Sequence, residues 1–496
     1  MASTLTPPTP TRTSQPSCSA EATNAGDRGK WNLLRFGPVK RLAQWRGLQF
    51  TLQLPNVLVY LLVILTGFYG TQEGGENFAT VLTWIIWWSA IVFTFVFFGR
   101  LWCLMCPFSA VAEWLQRVSL WSVKAETFGL GLKWPHKLRN LYPATGLFLL
   151  LTWVDHQFGL VGSPLYTAYL VLVMLALATV VMLLFERRTF CRYICPIGGL
   201  IGIYSLFAGA ELRVANRAVC KAHREKNCLV GNGTKGYGCP VREYPGNMDN
   251  NAFCTLCTEC IKTCPKDNIT FRFRPFARDL ANLTEKRLGL DMSILAVVLL
   301  GLPTFQTMVM IEPWEGWMDW LRQITGLPQM AVFSSAFLVG TLLAPLGLFS
   351  AGTAATTALS RERDVTFRRV FINFAFAFVP IGLLMHLAHN VKHLFGESYV
   401  AVPVLSDPFG WGWNLFGTAG LELSSPFTTD LLTKAQYALI LLGHGFAVYV
   451  SYRIARRLFG EKADRFVVAL APMLVLTVAW SVFNLWVLNM PLMDRH

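Results

Sequence analysis

Leu165-Tyr166-Thr167-Ala168-Tyr169-Leu170-Val171-Leu172-Val173-Met174-Leu175-Ala176-Leu177-Ala178-Thr179-Val180-Val181-Met182-Leu183-Leu184-Phe185 carries no charge, and Glu186-Arg187-Arg188-Thr189-Phe190-Cys191-Arg192-Tyr193-Ile194-Cys195-Pro196 follows at once. About 20 apolar residues let a helix cross the hydrocarbon core. Basic residues just beyond such a run mark its cytoplasmic end. Eight further runs read the same way, so nine spans are expected near 54–71, 77–99, 141–157, 165–186, 291–311, 330–357, 370–393, 434–454 and 466–489. The 496 residues are 53% hydrophobic and 15% charged, with a mean hydropathy of +0.43. Ordinary soluble domains are roughly 25% charged, so a purely soluble enzyme is excluded. The expected fold is an all-α polytopic membrane protein.

The net charge of +14 reports topology. With the N-terminus placed in the cytoplasm, 39 of the 43 Lys and Arg fall in cytoplasmic segments. The outer segments hold only Arg322, Lys392, Lys434 and Arg495, against acidic residues that include Glu73, Glu76, Glu312 and Glu315. That is the positive-inside asymmetry, and no nucleic-acid partner is needed to explain the charge. Residues 1–30 contain no apolar run, so no signal peptide is expected there; their Thr, Ser and Pro read as a disordered tail. Lys30–Arg46 mixes Trp31, Leu33, Leu34 and Phe36 with basic residues and suits the inner membrane surface.

The chain divides into a tail and interfacial segment (1–53), a four-span region (54–209), a cytoplasmic insert (210–285) and a five-span region (286–496). The four-span region is duplicated. Phe98-Gly99-Arg100-Leu101-Trp102-Cys103-Leu104-Met105-Cys106-Pro107 resembles the run at 188–196, and the two Cys-Pro steps lie 89 residues apart. Repeats pointing the same way are related by an axis along the membrane normal, which would bring their cysteines face to face.

Seven of the twelve cysteines lie in the insert. Cys254-x2-Cys257-x2-Cys260-x3-Cys264-Pro265 has the spacing of bacterial ferredoxins, in which the fourth Cys ligates the other cluster of a pair. Zinc also uses Cys-x2-Cys pairs, but the third Cys at the same spacing and the Cys-Pro step favour iron–sulfur. The insert is therefore expected to be ferredoxin-like (α+β), with one 4Fe-4S cluster on Cys254, Cys257, Cys260 and Cys239. A second is expected on Cys220, Cys228 and Cys264, with His223, Asp249 or an unassigned group as its fourth ligand; the alternative is that this second cluster has been lost. Cys103, Cys106, Cys191 and Cys195 are expected to hold a further cluster or metal at the membrane boundary, or to act as dithiols. Cys18 reads as incidental.

Cys-Pro motifs closing paired hairpins, followed by a 4Fe-4S insert, resemble the NapH/NosR/CcoG-type membrane-bound polyferredoxins over roughly residues 77–275. That resemblance implies a role in respiratory or photosynthetic electron transport at the bacterial inner membrane. Both membrane motifs of that family read Cys-x3-Cys-Pro. Here Cys191 and Cys195 conform, whereas Cys103 and Cys106 are one residue closer together.

His386, His389 and His393 fall within about 60° of one another on one helix face, and His444 lies between Gly443 and Gly445 on the next span. Histidines inside a membrane are functional candidates. One reading is a b-type haem held by His444 and either His386 or His389; others are a mononuclear metal, a quinol site, or histidines that merely solvate the helix end. Asp155-His156 suits proton acceptance from a quinol, or simply ends its helix. No nucleophile constellation or phosphate loop is present. The expected function is electron transfer between cytoplasmic 4Fe-4S clusters and a quinone, an outer-side haem or a partner subunit or cytochrome, within membrane lipid. The rival is a copper reductase, or a metal-handling or transport protein.

Overall fold

The computed structural model describes residues 31–117, 128–233, 235–285, 288–362, 364–460, 463–491 and 493. The tail with Cys18, and His496, lie outside them. All nine expected spans are helical, and among the described residues eight helices are long and apolar enough to cross a membrane. The ninth, Tyr142–Phe158, has 17 residues and measures roughly 25 Å. An additional helix, Pro313–Thr325, packs Trp314 inward and leaves Trp320 and Ile324 exposed.

The helical stretch around Val379–Val391 forms the centre of the back half. In its run, Phe367–Ser406, 94% of the most apolar window is buried. Two glycines allow this closeness. A Cβ on Gly382 would stand 2.4 Å from Leu299 O, and one on Gly443 would stand 3.0 Å from Leu384 Cβ and 3.1 Å from Pro380 O. The loop after the central helix reaches back to the front half, where Phe409 O and Pro408 O accept the amides of Thr71 and Phe78.

The insert is small and mixed. Strand β1 (Ala210–Val214) pairs antiparallel with β2 (Ile269–Phe273), Leu212 opposite Phe271. The short helices Arg217–Ala222, Asn227–Val230 and Glu259–Thr263 carry the cysteine loops between them. Buried charges tie it together: Glu211 meets Arg272 at 2.5 Å and Arg274 at 3.1 Å, and Asp279 meets Arg213 at 3.2 Å. The segment expected along the membrane surface does more than that. Trp31 and Phe36 are exposed, but Asn32 accepts the Phe271 amide and Leu34 is buried in the insert's apolar cluster.

Candidate metal centre

Both membrane motifs are built by the same local rule. Proline excludes the residue before it from helical geometry and itself suits the first turn of a helix. Cys106 (ψ 124°) and Cys195 (ψ 117°) are accordingly extended, and the helices Pro107–Arg117 and Pro196–Tyr204 start just after them. Gly198 N donates to Cys195 Sγ at 3.2 Å, as a helix N-terminus favours a thiolate.

The one-residue difference between the motifs has a structural answer. Cys103 lies on the α-turn Trp102–Met105, whereas Phe190–Ile194 is a π-turn in which Cys195 N reaches Phe190 O at 2.8 Å. A π-turn absorbs an inserted residue. Cys103, Cys106, Cys191 and Cys195 come together, each interacting electrostatically with others of the four.

Two arginines, each three residues before the first Cys of its run, join the repeats reciprocally. Arg100 Nη2 donates to Cys191 O at 3.2 Å, and Arg188 Nη1 donates to Cys103 O at 3.3 Å. Both also reach the insert, Arg100 at Ala252 O (2.6 Å) and Arg188 at Thr255 Oγ1 (3.4 Å). The backbone is specialised at both places, with φ +57° at Gly99 and +50° at Arg188. A Cβ on Gly99 would stand 3.0 Å from Ser205 Cβ, so the break in the first run and its close packing both call for glycine there.

In the insert, positive φ at Leu256 and Thr258 winds the chain so that Cys254, Cys257 and Cys260 converge. Cys239 joins them, since its thiol interacts with those of Cys254 and Cys257. Cys220, Cys228 and Cys264 form a second group beside it, Cys239 N donating to Cys228 O at 3.0 Å; Asn268 donates from Nδ2 to Cys220 Sγ at 3.1 Å and from its backbone amide to Cys264 Sγ at 3.4 Å. Asp249, an expected fourth ligand, is engaged by Thr284 Oγ1 at 2.6 Å and by Asn250.

Burial pushes the thiols of Cys239 and Cys254 up, to about 12 and about 11. Thiols crowded in a dry site ionise only against a compensating positive group, so the donor sets fit a bound metal cluster. No group of three or more His, Cys, Asp or Glu among the described residues is tight enough for a single metal ion. Thiolates around a cube stand farther apart than those around one ion.

A cavity of about 800 Å³ adjoins the boundary cysteines. Phe108, Pro196 and Ile197 line the end beside the two Cys-Pro turns; Asp155, His156, His389 and His393 line the other. Ala144, which packs on Gly199, and Asp155 are eleven residues apart on one helix, roughly 16 Å. His156 Nδ1 lies 3.1 Å from Asp155 Oδ2. A neutral imidazole must turn its N–H toward the carboxylate, which leaves Nε2 as a lone-pair acceptor. That Nε2, with Trp87 Nε1, Gln157 Oε1 and Gln306 Oε1 on the same cavity wall, is buried without a hydrogen-bond partner.

The histidines expected to hold a haem have these neighbours. His444 turns to the last span, with Nδ1 3.1 Å from Ser481 Oγ. His386 is fully buried against Trp88 and Tyr204, and His389 bonds Thr307 Oγ1 at 3.0 Å. Gly443, read as room for a flat ring, is closed by Pro380 and Leu384. What sequence reasoning missed is the convergence of His389 and His393 with Asp155-His156 on one cavity; the signal for it was that both sets sit near the ends of their helices.

A family described as "4Fe-4S binding domain" matches residues 80–127 and 167–212, the two duplicated runs rather than the insert. An uncharacterized protein of Methanocaldococcus jannaschii is 29% identical over 224 residues, 42% of this chain and 80% of the relative. "Putative electron transport protein YccM" of Escherichia coli is 27% identical over 122 residues, 24% of this chain and 30% of the relative. No solved structure matches. The chain thus carries a 4Fe-4S binding domain on membrane-spanning helices, which points to iron–sulfur electron transfer.

Proposed function

We propose that the protein exchanges electrons between a quinol in the cavity and cytoplasmic 4Fe-4S clusters at the bacterial inner membrane. One set of ligands would be Cys103, Cys106, Cys191 and Cys195, and another Cys239, Cys254, Cys257 and Cys260. Clusters bound there supply one-electron transfer. The chain's own residues do the rest. His156 Nε2 accepts a quinol hydroxyl proton, and the Asp155 carboxylate steadies the charge that forms on the ring. Trp87, Gln157 and Gln306 offer polar atoms to the headgroup, while the aromatic walls take its ring and tail. Arg100 and Arg188 hold the boundary set against the insert.

The observation that carries this reading is the continuity of one cavity from the Cys-Pro turns to the Asp155–His156 pair. It also favours this reading over metal handling, for which the described residues offer no single-ion site. The test is an anaerobic preparation of the full chain with iron and acid-labile sulfide quantified and EPR recorded after adding a short-chain quinol. Cluster reduction by the quinol, lost when Cys106 and Cys195 are both replaced by Ser, is expected. Iron and sulfide below one cluster per chain would overturn the iron–sulfur assignment; full clusters that no quinol reduces would overturn the quinol half.

A further inference from the structure

Among the described cysteines, two sets of four leave Cys220, Cys228 and Cys264 as a set of three. They form a built site. Asn268 bonds both Cys220 Sγ and Cys264 Sγ, and Cys228 is 7% exposed in the apolar cluster of Leu212, Ile261 and Ile269. Tyr244 closes one side, its hydroxyl donating to Cys220 O at 2.8 Å. Cys239 serves the other set, as the Cys-Pro step of a paired module does, and Asp249 is held by Thr284. The surface flanking the set is net basic: Lys221, Arg224, Lys226 and Lys266 are exposed, alongside the acidic Glu225 and Asp267, the latter paired with Lys40.

We propose that Cys220, Cys228 and Cys264 hold a cluster by three thiolates and leave its fourth corner open on the basic face of the insert, for a small exogenous anionic ligand. The proposal rests on the iron–sulfur reading above and adds a ligand-exchange site to it. Three thiolates would satisfy three irons; a fourth iron without a protein donor would bind solvent or a small anion and would be the first lost on oxidation. Loss of one electron from such a cluster to ferricyanide would release that iron as Fe²⁺ and leave a three-iron cluster one charge unit lower than the starting one, which balances metal and charge. The cationic rim draws anions to the opening, as a concentration of one sign of charge does at any cleft.

The experiment uses the full chain, loaded anaerobically and titrated with ferricyanide under EPR. A three-iron signal should grow with a spin count matching one cluster, and Fe²⁺ with dithiothreitol should reverse it. Carbon-13 cyanide added to the reduced four-iron form should add carbon coupling to that cluster's resonance alone. The Cys228→Ser variant should lose the convertible signal and keep the others. A wild-type protein that gives no three-iron form overturns the proposal, and more so if His223→Ala or Cys18→Ala then does, because a protein donor would have filled the corner. If Cys228→Ser alters neither iron content nor spectrum, this set binds nothing while the electron-transfer reading stands. Absence of every cluster signal would instead strike the reading beneath it.

Discussion

Glu113 grips Arg188 through both carboxylate oxygens, Nε to Oε1 at 2.7 Å and Nη2 to Oε2 at 3.2 Å, with each side chain about 1% exposed. The same guanidinium is the one that crosses to Cys103 O and Thr255. One buried ion pair therefore fixes the two repeats and the insert relative to each other. A planar fork can serve these acceptors at once, and an ammonium cannot.

Arg188→Ala should accordingly destabilise the loaded protein by about 3–5 kcal/mol, because it strands a buried carboxylate. Arg188→Lys should keep the charge yet lose the bridge to Cys103 and Thr255. Unfolding in detergent, followed alongside iron retention, checks both. Equal stability of Arg188→Ala and the parent would remove this pair from the architecture.

The insert should weaken in acid through Glu211. Desolvation raises this carboxyl, but the guanidiniums of Arg213, Arg274 and Arg272 together outweigh burial and hold it below its ordinary value of 4.5. A folded-state pKa below the unfolded one adds stability above the unfolded value and loses it as pH falls through the folded one. Thermal midpoints should thus stay level from neutral pH to about 5 and decline below about 4.5. Glu211→Gln should be less stable at pH 7 and show a shallower decline; subtracting the two curves removes the contribution of the other carboxyl groups. Parallel curves would exclude Glu211 as the cause.

Much of this arrangement is legible in the residues, and the boundary of legibility is physical. Nine apolar runs specify nine helices because a bilayer leaves the backbone few other options. The Cys-x2-Cys-x2-Cys loop announces its convergence because so short a spacing permits little else. Two things could not be read. The register difference between Cys103 and Cys191 is absorbed by a π-turn, which depends on i→i+5 bonding that no residue type encodes. Helical periodicity says which histidines share a face but not what that face meets. His444 meets Ser481 on the last span, while Gly443 beside it packs against Pro380 and Leu384.

That packing gives its own prediction. Gly443→Val should cost about 1–3 kcal/mol, since the central helix cannot withdraw from a backbone oxygen 3.1 Å away without disturbing its other contacts. Gly445, with nothing near its would-be Cβ, should accept Ala without loss. Unfolding midpoints of the two variants compare them directly, and a Gly443→Val protein as stable as the parent would mean a looser contact than this.

The proton-accepting pair makes the sharpest demand on the quinol reading. Asp155 Oδ2 receives His156 Nδ1–H, and its Oδ1 is held by the Val161 amide at 3.1 Å, so the carboxylate is fixed toward the ring. Asp155→Asn keeps the size but can offer an N–H to Nδ1, which would move the ring proton to Nε2 and abolish the acceptor lone pair there. It also removes the negative charge that steadies a protonated ring. General-base contributions of this kind are worth about 10²–10⁴-fold, so quinol-driven cluster reduction should slow by that order. Dithionite, which needs no proton acceptor, should reduce the same clusters to the same EPR spectrum in variant and parent. Stopped-flow traces that slow equally with both reductants would implicate the clusters instead, and unchanged quinol traces would leave Asp155 as a helix terminator.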